Sequence, residues 1–294
     1  MKFGKRHRLT IQVDDAGNSV VIEYPVTVEF DVQRTLFSGA NTGRFTIYNL
    51  SENTRNKIFH DRYDVRTYRG LVFQAGYVGQ NPLPIIFQGN VQVAYSARKK
   101  ADWITEIRAF DGGVAITSAQ SSKTFPAGQS IRDLIKGLMD DLKGPGHVTP
   151  GAIGDLPMVG ERGTSFVGNT WSMISEMAEN NGALAFIDNE KAHVLKPDEY
   201  ISNVQNASPL ISGNTGLLRA QMQFKNRVDV DVMFDPLRAI GQLVQLQSEE
   251  KKNNGDYIVK GIAHRGTISG AVDAETVTTL NLDKGSGIPV GVLQ

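Results

Sequence analysis

Apolar and polar residues alternate along two stretches of this chain, and both stretches follow one plan. Leu71-Val72-Phe73-Gln74-Ala75-Gly76 reads as a strand, and after a loop comes Ile85-Ile86-Phe87-Gln88-Gly89-Asn90-Val91-Gln92-Val93. Trp103-Ile104-Thr105-Glu106-Ile107-Arg108-Ala109-Phe110 alternates next and closes at Asp111-Gly112. Later, Gln242-Leu243-Val244-Gln245-Leu246-Gln247 is followed by a polar loop, then Tyr257-Ile258-Val259-Lys260-Gly261-Ile262-Ala263-His264, then Thr276-Val277-Thr278-Thr279-Leu280-Asn281-Leu282, closed by Asp283-Lys284-Gly285. Gly89 stands seventeen residues after Val72, and Gly261 seventeen after Val244. Antiparallel strands recurring in a fixed order are the signature of a duplicated unit. The spacing predicts that 28–113 and 214–285 are related barrels with Gly89 and Gly261 at equivalent points. Chance likeness between two β-rich stretches is the alternative.

The echo extends upstream. Arg44-Phe45-Thr46-Ile47-Tyr48 alternates as a strand, and Ser51 is placed to cap a short helix through Glu52, Arg55 and Ile58-Phe59, because its oxygen can satisfy a first-turn amide. Val228-Asp229-Val230-Asp231-Val232-Met233-Phe234 is the matching strand, with Asp235-Pro236-Leu237-Arg238-Ala239-Ile240-Gly241 in the helix's place.

Between the two β-regions the period changes. Ile131, Leu134, Ile135 and Leu138 recur at helical spacing after the cap candidate Ser130, with Gly144-Pro145-Gly146 as the stop. A second helix is predicted from Thr170 to Asn180, burying Trp171, Ile174, Met177 and Ala178 and ending at Gly182. A hairpin of Ala183–Ile187 and Ala192–Leu195 turns across Asp188-Asn189-Glu190, and Pro197 to Ser212 reads as a linker. Each helix carries a single apolar stripe, so the 130–195 segment is expected to lie outside the barrels.

Composition narrows the function classes. Lys plus Arg and Asp plus Glu both number 31, so no whole-chain positive field favours nucleic acid. The one basic cluster, Lys2, Lys5, Arg6, His7 and Arg8, reads as a solvated end, or else as a contact for an acidic partner. With no cysteine, disulfides and thiolate metal sites are excluded. No apolar run approaches twenty residues, and the start shows no signal-peptide core, so a soluble chain made in a cytoplasm is expected.

Catalytic chemistry finds no constellation. His7, His60, His147, His193 and His264 are scattered, without the H-E-x-x-H that sets two imidazoles on one helix face. There is no G-x-S-x-G elbow, and the glycines at 144, 146, 151 and 154 lack the Gly-Lys-Ser/Thr of a phosphate loop. Asp14-Asp15, Asp140-Asp141 and Asp229 with Asp231 are carboxylate pairs, but the last pair shares an outer strand face opposite Val228, Val230 and Val232. Trp103 and Trp171 read as core or interface anchors. No catalytic, cofactor-binding or metal residue is therefore expected, and no cofactor.

Six short groups of residues, three in each half and taken in order, carry a family resemblance. Arg44-Phe45-Thr46-Ile47-Tyr48-Asn49-Leu50-Ser51, Phe87-Gln88-Gly89 and Asp102-Trp103-Ile104-Thr105 through Asp111-Gly112 resemble the N-terminal half of baseplate hub proteins of contractile-tailed phages, the late-control D type included. The second half is similar through Gly241-Gln242-Leu243-Val244-Gln245-Leu246, Gly255-Asp256-Tyr257-Ile258-Val259 and His264-Arg265-Gly266-Thr267, so that roughly 25–285 is covered. Each motif is weak alone, and the order and spacing carry the likeness. The resemblance implies a mainly β fold: two tail-tube-like antiparallel β-barrels with a small α+β helix/hairpin domain between them. The expected boundaries are 1–113, 114–200 and 201–286, with a short tail at 287–294.

The implied role is a structural virion protein and not an enzyme: a homotrimeric hub adapting a sixfold tail tube to a threefold central spike. Tail tube protein on one face, spike protein on the other and further baseplate proteins are the implied partners. No membrane is involved, and DNA meets the chain only by passage through the lumen. Two rivals stay open, a tail enzyme degrading cell wall or polysaccharide and the base of a type VI secretion spike. No lysozyme or peptidase-binding domain is expected beyond Leu282, and 285–294 is too short for a β-helical extension.

Overall fold

The computed structural model describes residues 4–37, 39–61, 63, 68–156, 162–202, 209–224, 226–271, 274–285 and 287–292. The first half is built of β1 (Lys5–Gln12), β2 (Ser19–Glu23), β3 (Val28–Thr35), β4 (Thr42–Tyr48), α1 (Glu52–Ile58), β5 (Gly70–Tyr77), β6 (Ile85–Lys99) and β7 (Asp102–Phe110). Alternation sets the faces of the strands: in β3, Val28, Phe30 and Val32 face inward while Glu29 and Gln33 face out. Phe30 and Phe45 meet Phe73 at ring-centroid distances of 5.0 and 4.9 Å, in the centre of the first core. Ser51 caps α1 as expected, its Oγ accepting the Thr54 N–H at 3.2 Å.

The middle unit follows: α2 (Gly113–Ser118), β8 (Gln120–Phe125), α3 (Ile131–Met139), α4 (Lys143–Gly146), β9 (Thr149–Ile153), β10 (Thr164–Asn169), α5 (Thr170–Asn180), β11 (Leu184–Ile187), β12 (Lys191–Leu195) and β13 (Glu199–Ile201). Ser130 caps α3, and α5 has the predicted span with Trp171, Ile174 and Ala178 buried. Both helices keep a solvent face, because Arg132, Asp133, Ser172 and Glu179 are exposed. Gly144-Pro145-Gly146 does not stop α3. A single 3₁₀ turn, Asp140–Leu142, carries the chain on into α4, which ends at His147 in the left-handed region (φ 56°).

The second half holds β14 (Leu210–Ser212), β15 (Leu217–Phe224), β16 (Arg227–Met233), β17 (Leu243–Gln247), β18 (Gly255–Ile268), β19 (Thr276–Lys284) and β20 (Ile288–Val290). No helix forms at 235–241. Asp235 instead closes a local turn, accepting the Leu237 N–H and Arg238 Nε. The 197–212 stretch is not a plain linker, since β13 and β14 lie in it, while 203–208 fall outside the described residues. The 287–294 tail contributes β20, which pairs in parallel with β13.

The halves share one strand order, β3-β4-β7-β6-β5 and β15-β16-β19-β18-β17. They also share a bulge, between Val91 and Val93 in β6 and between Val259 and Gly261 in β18. Aligned on that bulge, Phe45 opposite Ile107 matches Val230 opposite Leu280. The same alignment sets Gly89 against Tyr257 and Gly261 against Val93, so the expected glycine equivalence fails. Each glycine answers a local crowding: a Cβ at 89 would lie 2.5 Å from the Phe110 carbonyl oxygen, and one at 261 would lie 2.4 Å from Asn281 Oδ1. The matched glycine spacing is a coincidence and does not support a duplication; what the two halves share is the pairing order and the bulge.

Two separate closed barrels are not what the hydrogen bonding gives. The halves merge in one thirteen-stranded sheet, and no ring closes among the described residues. The cause is the length of β18: Gly255–Ile258 pairs with β17, and Gly261–Ile268 pairs with β3 of the other half. Three apolar cores result, one per half and one in the middle unit, and they exchange residues. Phe234 and Ile268 enter the first core, and Leu36, Ala152, Phe186 and Leu195 the second.

Candidate assembly interface

The β3–β18 junction shows how one half of this chain completes the other. Leu36 donates its N–H to the Lys260 carbonyl at 3.0 Å, and pairing runs from Gly261–Thr35 to Ile268–Val28. The end of β18 and its turn then seat against the first half. Ile268 is buried in the first core, Ser269 Oγ lies 2.6 Å from Thr27 Oγ1, the Gly270 N–H reaches the Pro25 carbonyl, and Lys5 Nζ donates to the Ala274 carbonyl at 2.7 Å.

The equivalent elements lack such a partner. β15, the counterpart of β3, pairs with β16 alone and leaves its outer side open among the described residues. The counterpart of the end of β18 is the end of β6. Ala94 exchanges both backbone hydrogen bonds with His60, so Ser96 and Arg98 are the next residues to turn their amides outward. Neither has a backbone partner on that side among the described residues. Beside β15 lies a cleft of about 560 Å³ lined by Leu217, Leu218, Arg219, Gln247, Glu249 and Glu250. Leu218 is 57% exposed there.

A buried polar lock fixes the middle unit to the first half. The β11–β12 turn carries Asn189 and Glu190 in the left-handed region (φ 50° and 58°), and Asp111 accepts both of their N–H groups, at 2.5 and 2.8 Å. Burial pushes the Asp111 carboxyl up to about 8, with the Asp188 charge adding to it. Arg34 reaches from β3 to grip Asp188 with Nε and Nη2 at 2.7 and 2.6 Å. Burial alone would lower Arg34, but Asp188 outweighs it and holds the guanidinium charged. Asn41 donates to the Ile187 carbonyl at 2.8 Å, while Tyr68 and Gln88 donate to the Glu190 carboxylate, which burial pushes up. These acids are committed to donors within the fold. In the sequence Asp111 and Asp188–Glu190 carry only the signature of turn residues.

The residues singled out in the sequence do not converge, and among the described residues no three His, Asp or Glu side chains are placed to hold a metal. His7 lies in β1 with Nε2 2.7 Å from the Val26 carbonyl, and the His147 ring lies tilted against Tyr68 with centroids 4.2 Å apart. His193 Nδ1 accepts the Ala152 N–H, and His264 Nδ1 is 2.9 Å from Thr278 Oγ1. Asp14 closes a turn onto Asn18, Asp140 pairs with Lys143, and Asp141 with Lys123. Asp229 takes Asn281, and Asp231 takes Arg219 and Thr279. Trp171 is core, whereas Trp103 is 37% exposed under the Arg55 guanidinium at 3.9 Å. The basic cluster is not a solvated end from residue 5 onward: it begins β1, where Arg6 covers Tyr24, Arg8 pairs with Glu23 and His7 is buried. Lys2 lies outside the described residues. No helix among the described residues is long and apolar enough to cross a membrane.

Burial lowers His193 to about 4 and His264 to about 3, the latter helped by the Arg34 charge. An unfolded chain takes up these protons below about 6.5 while the folded chain does not, so their contribution is intact above that pH and is lost on acidification. Each should cost roughly 2 kcal/mol of stability by pH 5. Asp111, raised when folded, works in the opposite sense, so the contribution is isolated by comparison with His264→Gln. The drop in urea stability from pH 7 to pH 5 should be smaller in that variant, and an equal drop would refute the assignment.

Residues 6–266 match the family described as Baseplate hub gp41. No curated protein matches the sequence. Among solved structures, a tail protein from Neisseria meningitidis MC58 is similar with a TM-score of 0.61 at 11% identity, over 96% of this chain and 97% of that one. The 43 kDa tail protein of prophage MuSo2 from Shewanella oneidensis gives 0.59 at 8% identity, over 94% and 98%. The E. coli c3393 protein, described as a component of the type VI secretion system with structural similarity to the T4 bacteriophage tail proteins gp27 and gp5, gives 0.59 at 8%, over 95% and 78%. At these identities the likeness is one of fold.

Proposed function

The chain belongs to the baseplate hub gp41 family, and on that premise we propose that three copies form a ring adapting a sixfold tail tube to a threefold central spike. A structural tail protein is the coarse reading, and the observation that carries the finer one is the repeated strand order with its shared bulge. Three chains with two like modules each present six similar units, so one face can mate with a hexamer while the whole stays threefold. The open outer side of β15 and of the end of β6 beyond Ala94 supports this, because unpaired strand edges invite pairing and a ring would cover them. In this reading the tube protein meets one face, the spike protein the other, and the chain resides in the virion tail.

The three cores support a division at 1–113, 114–200 and 201–286, with β20 tying the tail at 287–294 to β13. The likeness to c3393, described as a type VI secretion component, favours a second reading, the base of a secretion spike, in which the proposed ring would meet different neighbours. Light scattering of the purified protein tests the ring. The expected mass is three times the 32.1 kDa chain, and a single-chain mass at every concentration would overturn it.

A further inference from the structure

The geometry points to one specific contact between copies: the β6–β7 hairpin tip of one copy enters the cleft beside β15 of the next. The inference rests on the ring reading and deepens it by naming the surfaces. Its basis is the repeat within the chain. In the first half the place between β3 and β1–β2 is filled by the β18–β19 turn, with Ile268 in the core and Ser269 and Gly270 bonded to Thr27 and Pro25. In the second half the corresponding place, beside β15, is the open cleft lined by Leu217, Leu218, Glu249 and Glu250. The module that would supply the matching turn is the other half of another copy, because the β6–β7 turn of the same chain is bound to its own half through Asn49 and Asp102.

Aligned on the bulge, Ile268 corresponds to Lys100, Arg265 to Ala97 and Asp31 to Gln221. The β6–β7 tip is therefore Arg98-Lys99-Lys100-Ala101, all exposed, with Lys100 in a left-handed turn at φ 59°. Three cations on one tip face a cleft whose lining carries Glu249, Glu250 and one cation, Arg219, which is already paired with Asp231 at 2.7 Å, while Lys251 and Lys252 stand outside that lining. Glu250 is already paired with Lys252 at the exposed rim, at 2.9 Å, which leaves Glu249 as the principal counter-charge. The alkyl stems of Lys99 and Lys100 can cover Leu217 and Leu218 as Ile268 covers the first core. Ser96 and Arg98 then offer their outward amides to the open side of β15. The contact is head-to-tail, so each copy gives a tip and receives one, and three close a ring.

The chain has no cysteine of its own, so a cross-strand pair can be placed cleanly. In Ala97→Cys/Gln221→Cys, both positions exposed, oxidation should give a disulfide-linked trimer on a non-reducing gel, and neither single variant should. A three-chain mass in solution without cross-linking in the double variant would overturn the hairpin contact and leave the ring standing. A single-chain mass would remove both. Independently, Lys99→Glu/Lys100→Glu should weaken association at least tenfold at low salt, and adding Glu249→Lys/Glu250→Lys should restore it. Failure of that restoration would overturn the assigned charge pairing.

Discussion

Val259→Asp should leave no soluble folded protein and no assembled tails. Val259 is fully buried in the second core, opposite Leu282, just before the bulge in β18. Its backbone is already committed, with its N–H to the Gln242 carbonyl and its carbonyl to the Gly241 N–H. A carboxylate there would have no donor to meet, and an unpaired buried charge costs several kcal/mol. That is on the scale of a domain's whole stability, about 5–15 kcal/mol. The position also carries both halves, because β18 is the strand that joins them. Val259→Ala, a loss of volume only, should cost about 2–3 kcal/mol and still assemble. Val21→Asp, at a 44% exposed site on β2, should change stability by no more than about 0.5 kcal/mol. Soluble yield, urea unfolding and tail assembly by complementation check the series. A folded, assembling Val259→Asp protein would contradict the account of the second core.

Arg34→Met should be the most damaging change in the polar lock, at about 3–5 kcal/mol. It strips the Asp188 carboxylate of its partner in a buried site, where no other cation among the described residues takes the place of the guanidinium. Arg34 and Asp188 are only 3% and 11% exposed, so water cannot take over. Arg34→Met/Asp188→Leu should recover part of the loss, since an apolar pair of similar volume has no charge to desolvate. Urea unfolding of the three proteins measures this. An Arg34→Met protein within 1 kcal/mol of the parent, a threshold set by the value of an exposed pair, would show that the ion pair does not hold the middle unit.

Local features were legible and distant ones were not. The span of α5, the Ser51 and Ser130 caps and the β11–β12 hairpin follow from periodicity and cap chemistry within a few residues. The strand β8, Gln120-Ser121-Ser122-Lys123-Thr124-Phe125, is polar almost throughout and gives no alternation to read. Leu9-Thr10-Ile11-Gln12-Val13 alternates legibly as a strand, but the charges of Lys5, Arg6 and Arg8 hid that β1 begins at Lys5 with His7 on its buried face. Arg34 and Asp188 are 154 residues apart, so nothing local marks them as partners. The repeat was legible in its order of strands, but the glycines chosen to mark its register answer unrelated crowding. That β18 serves both halves depends on which edge its second part takes, a choice made by tertiary packing.

An electron cryomicroscopy map of the assembled tail is the decisive test of a ring of six like modules from three chains. The map should show three chains around one axis, with first and second halves alternating and the β6–β7 tip of each chain seated beside β15 of the next. A map with one chain per tail, six chains per ring, or the two halves of a chain at different radii would contradict it.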